Sequence, residues 1–145
     1  MNARGDRVSG DELAHDLNAW AAGSHPIEAA VGLLAAHRAW LRRGDFRRRA
    51  ICEESTDDSD DLRWVRIDWD AAARVLADAP ASSSERGILA IAIALAVGHE
   101  HPVDLAEALG SLDATNTGRV LQAVAHAAGF HDRHLALVVD GHVGG

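Results

Sequence analysis

The densest chemistry in this sequence is cationic. Arg38, Arg42, Arg43, Arg47, Arg48 and Arg49 crowd into twelve positions, with Trp40 and Phe46 among them. Guanidinium groups pair with carboxylate or phosphate, and aromatic and arginine side chains carry much of the binding energy of protein interfaces. Arg38, Trp40, Arg42, Arg43, Phe46, Arg47, Arg48 and Arg49 therefore form the candidate partner-binding surface. The opposite charge follows at once. EESTDDSDD, residues 53–61, holds six acids in nine positions, reads as a solvated loop, and could fold back on the arginines.

Other chemistry is thinner. His99 and His101 flank Glu100, and His131 and His134 flank Asp132, with His142 beyond. Imidazoles at such spacing can hold zinc, but they fall in predicted loops and chain ends, and no HExxH pattern places two on one helix face. They read as surface histidines, so no metal and no cofactor is expected. Neither GxSxG, nor a phosphate-binding Gly loop, nor GxGxxG occurs. No catalytic residue is nominated, and the chain reads as non-enzymatic. Cys52 stands alone, which excludes an internal disulfide and suits a reducing cytoplasm.

Composition sets the frame. The 145 residues suffice for one domain with a real core, and 48% are hydrophobic. All 14 basic residues are arginine, as GC-rich bacterial coding favours. Net charge is −8, divided as +2 over residues 1–52, −6 over 53–80 and −4 over 81–145. The start MNARGDRVSG lacks the apolar stretch of a signal peptide. The longest apolar run, Ile88 to Val97, is half the roughly 20 residues a membrane span needs.

The elements that must position these residues are mostly helical. Leu13, Leu17 and Trp20 predict a helix over 11–22, stopped by Gly23. Ser24 and Pro26 open a second, with Ile27, Val31, Leu34 and Leu41 as core, Trp40 at its edge and Gly44 as stop. The two form a hairpin over residues 1–52, with a further short helix starting at Asp45. After the acidic loop, residues 62–145 read as a helical core with short strands. Val65, Ile67 and Trp69 alternate with Arg66 and Asp68, the period of a strand. Asp68 or Asp70 caps a helix to Ala79. Ser82 and Glu85 make a capping box before an all-round apolar helix ending at Gly98. A short helix over 103–109 follows. Asp113 caps the last helix, whose predicted core face is Val120, Leu121, Val124, Ala125 and Ala128. Leu135 to Val139 reads as a strand. The fold class is mainly α: a helical hairpin plus a three-helix, helix-turn-helix-like unit with one or two short β-strands.

That order of helix, short helix, third helix and strand over roughly residues 84–140 resembles bacterial winged-helix regulators. The resemblance implies a reading helix with Thr115, Asn116 and Arg119 at the DNA. The −4 charge of the segment opposes a phosphate backbone. The expected function is a cytoplasmic, non-membrane module that binds a partner protein. A DNA-binding regulator is the alternative, and a homo-oligomer is expected of so alanine-rich a chain.

Overall fold

The computed structural model describes residues 9–55 and 63–130. Among them are eight helices and one two-stranded sheet. The order is α1 (Gly10–Ala21), α2 (His25–His37), α3 (Ala39–Arg42), α4 (Gly44–Ala50), β1 (Ile51–Ser55), β2 (Arg63–Ile67), α5 (Trp69–Asp78), α6 (Ser83–Val97), α7 (Leu105–Gly110) and α8 (Ala114–Ala127). The mainly α architecture with short strands is as expected from the sequence. The strand predicted over Leu135 to Val139 lies outside the described residues.

Helix starts follow local chemistry. The first N–H groups of a helix lack an internal partner, and a short polar side chain supplies one. Ser9, Asp68, Ser82, Asp104 and Asp113 accept from the backbone N–H of Glu12, Ala71, Glu85, Glu107 and Asn116. Ser82 Oγ also donates to Glu85 Oε1 at 3.1 Å. Ser24 precedes α2 but makes no such bond. The Glu28 carboxylate instead accepts from the N–H of Gly23, 2.8 Å away. Gly23 turns the chain from α1 into α2 at φ +101°.

The core forms around α2 and α6, which pack on each other. α1 and α8 lie against α2, while α5 and α7 lie against α6. Leu17, Val31, Leu34, Ile88, Leu89 and Ile93 are buried. Each such side chain contributes about 1.5–3 kcal/mol by leaving water. Among the described residues no helix is long and apolar enough to cross a membrane.

Three local expectations are corrected. The second helix is not continuous to Arg43. It ends at His37, where Arg38 takes φ 72° and gives its N–H to the Leu34 carbonyl, and α3 starts afresh. Gly44 opens α4 rather than closing the helix before it. The acidic stretch is not wholly loop, because Glu53, Glu54 and Ser55 belong to β1. That strand pairs antiparallel with β2, with Ile51 opposite Ile67 and Glu54 opposite Trp64. Val65 and Ile67 point into the core while Trp64 and Arg66 stay exposed, so the ribbon needs only one apolar face.

Arg38 gives a first prediction. A side chain at positive φ crowds its own backbone, and glycine removes the penalty. Arg38→Gly is expected to raise unfolding free energy by about 1 kcal/mol in urea titration. A loss of stability would show that the arginine side chain does more than tolerate the turn.

Candidate interaction surface

The arginine-rich segment divides between core and surface. Trp40 and Phe46 are both 0% exposed, their rings 5.8 Å apart. Trp40 reaches the start of α6, where its indole N–H donates to the Glu85 carbonyl at 2.8 Å. The expected aromatic surface is therefore core, because indole and phenyl rings repay burial more than any other side chain here. Arg43 lies over the Trp40 ring at 4.7 Å and forks onto Asp45, with Glu85 3.4 Å away. Its hydrogen bonds hold the Asp45 carboxyl below the usual carboxylate range. Arg49 pairs with Asp78 on α5. Arg47 is half-buried, and Arg38, Arg42 and Arg48 project outward from this corner.

The residues suggested for DNA reading also separate. Thr115 is exposed, but Asn116 is buried at 8% exposure. Asn116 sits against α6, its amide nitrogen 3.4 Å from Ser84 Oγ and its oxygen accepting from Arg119 at 2.8 Å. It faces inward because α8 leans on α2 and α6, and Asn116, Val120 and Ala123 form that inner face. Thr115 and Arg119 are thus left without the asparagine between them.

The same rotation exposes what the sequence assigned to the core. Successive helical residues turn by about 100°, so the apolar arc of α8 runs from Ala123 through Val120 to Leu121. α2 covers one side of it. Leu121 and Val124 remain 43% and 49% exposed. Gly129, at φ +90°, then turns the chain, and the Phe130 N–H returns to the Ala125 carbonyl at 2.9 Å. That closure is a Schellman cap, and it leaves Phe130 40% exposed just beyond α8. On α7 only Ala108 is buried, which leaves Leu105 and Leu109 outside as well. Asp104, Glu107 and Asp113 are exposed on and between these two helices.

No family model matches the chain, and no curated protein or solved structure does. The surface must be read from its own chemistry.

α8 is a firm base for such a strip. His126 Nε2 lies 2.8 Å from Glu28 Oε1 on α2, and the His25 ring meets His126 edge-on. The His126 contact first, and the Gly23 N–H second, lower the Glu28 pKa. A carboxylate depressed in the folded state stabilises above its unfolded pKa. That contribution is lost as pH falls through the lower folded value. Glu28→Gln is therefore expected to flatten the acid side of the stability–pH curve below the ordinary glutamate range. An unchanged acid slope in pH-resolved thermal melts would refute the linkage.

On the flank of α8 opposite Leu121 and Val124, α2 and α8 line a groove of about 260 Å³. Small residues of α2, Ala29, Gly32 and Ala36, floor it, and Arg119, Gln122 and His126 form its other wall.

Proposed function

We propose that this chain is a non-enzymatic protein-interaction module that docks a basic amphipathic helix of a partner protein along α8. The observation that carries the reading is the exposed pair Leu121 and Val124, one turn apart on α8, with Phe130 exposed just after the helix. Apolar side chains of this size, set at helical spacing and left uncovered, suit helix-on-helix recognition. The charge of the partner follows from what surrounds the strip. Asp104, Glu107 and Asp113 are exposed along the segment that runs from the start of α7 to the start of α8, and the whole chain carries −8. Two copies repel at that charge, whereas an arginine- or lysine-bearing helix is drawn in. The guanidinium groups of Arg38, Arg42 and Arg48 are a second surface, without the aromatic anchors that the sequence suggested.

The test is affinity capture from native extract treated with nuclease, with Leu121→Asp/Val124→Asp and Arg42→Ala/Arg48→Ala run beside the wild type. The wild type and the arginine variant are expected to hold the same protein. The aspartate variant is expected to lose it by at least about tenfold, because a buried unpaired charge replaces two anchors. Loss in the arginine variant alone would move the site to the α3–α4 corner. A dimer in light scattering, abolished by the aspartates, would make a second copy the occupant. A shift of duplex DNA at low salt, lost in Arg119→Ala, would replace the reading with the DNA-binding regulator.

A further inference from the structure

Away from the α8 strip, three ligand-type side chains from two distant parts of the sequence converge. Asp70 stands in the first turn of α5, where the Asp68 cap on the Ala71 N–H fixes the backbone. Glu100 and His101 stand in the turn after α6, and the backbone N–H groups of both donate to the Val97 carbonyl at 2.9 Å. His101 Nε2 lies 2.7 Å from Asp70 Oδ1. One donor atom from each of the three residues falls within 4.8 Å of the other two.

We propose that Asp70, Glu100 and His101 bind one divalent transition-metal ion, with zinc the best match. The donor set is one imidazole nitrogen and two carboxylate oxygens. Two carboxylates neutralise the charge of a divalent ion. The imidazole selects zinc and its neighbours over magnesium and calcium, which take oxygen. Metal–ligand bonds of about 2.0–2.1 Å put tetrahedral ligands roughly 3.4 Å apart. The His101–Asp70 hydrogen bond, at 2.7 Å, would open by about 0.7 Å and release its proton for both atoms to reach one ion. Glu100 is exposed and has the rotational freedom to close the remainder. Three protein ligands leave a coordination position for water or for a group from another molecule. The bound ion would tie the start of α5 to the end of α6. None of this depends on what docks along α8.

Calorimetric titration of the full chain with Zn²⁺ tests the site, with Mg²⁺ as the comparison and thermal melts as the second readout. The wild type is expected to bind one Zn²⁺ per chain, to melt at higher temperature as the site fills, and to bind Mg²⁺ far more weakly. Asp70→Asn and His101→Ala are expected to weaken Zn²⁺ binding by at least about tenfold and to abolish the melting shift, while His15→Ala, exposed on α1, changes neither. Both altered side chains are solvent-accessible, so the apo variants should melt close to wild type. Zn²⁺ binding that survives both substitutions, or no stoichiometric binding at millimolar Zn²⁺, overturns the proposal.

Discussion

Trp40→Ala is expected to lower the unfolding free energy by about 3–5 kcal/mol, the largest single-residue loss argued for this chain. The side chain is fully buried, so its removal leaves a cavity as well as forfeiting the transfer of an indole from water. Two further contacts go with it. The Glu85 carbonyl loses the indole N–H, and the Arg43 guanidinium loses the ring beneath it. Because Trp40 joins α3 to the first turn of α6, the damage crosses a contact far apart in sequence and should appear in the whole cooperative transition. Urea denaturation measures it. Arg42→Ala, two residues away and exposed, is expected to stay within about 0.5 kcal/mol of wild type. A small loss for Trp40→Ala, comparable to Arg42→Ala, would mean that the tryptophan is a surface residue after all.

Trp40 also shows where sequence reading stops. Its spacing from Ile27, Val31 and Leu34 places it at the edge of a core face only while the helix stays continuous. The break at Arg38 re-aims everything after it, and an arginine at positive φ has no local signature, since glycine or asparagine normally marks such a turn. The starts of α5, α6 and α8 were legible because a cap is a local bond: Asp68, Ser82 and Asp113 lie within three residues of the N–H groups they accept from. β1 was not legible, because its carboxylates look like loop until β2 supplies a partner strand. On α8 the apolar residues were visible, but not that α2 covers only half of their arc. His101 and Glu100 were visible as neighbours, and Asp70, 31 positions from His101, became their companion only through the packing of α5 on α6. Periodicity reports which residues avoid water. Which of them find a neighbour is settled by elements elsewhere in the chain.

Gly87→Val is expected to destabilise by more than the roughly 1–3 kcal/mol usual for overpacking, and to displace α7. A Cβ at Gly87 would sit 2.6 Å from the Ala108 carbonyl oxygen and 3.1 Å from Ser111 Oγ. The first is backbone, so no side-chain rotation relieves it. The second belongs to a stitch in which Ser111 Oγ lies 3.0 Å from the Ser83 carbonyl and 3.1 Å from that of Ala108. Pushing α7 off α6 therefore strains both ends of the contact and opens the cleft of about 470 Å³ that the two helices share with Leu76 of α5. Arg86 should hold its place, since its guanidinium is anchored on the carbonyls of Leu76 and Ala79 at the end of α5. The displacement is thus expected to be local, with faster amide exchange in α7 than in α5 or α8. This separates the two exposed apolar sites. Leu105 and Leu109 ride on α7, whereas Leu121 and Val124 ride on α8, which α2 holds independently. If partner capture persists in Gly87→Val, the α8 strip suffices for docking. If capture fails while α8 amides stay protected, the leucines of α7 belong to the same interface. Uniform exchange across all the helices would refute the local displacement.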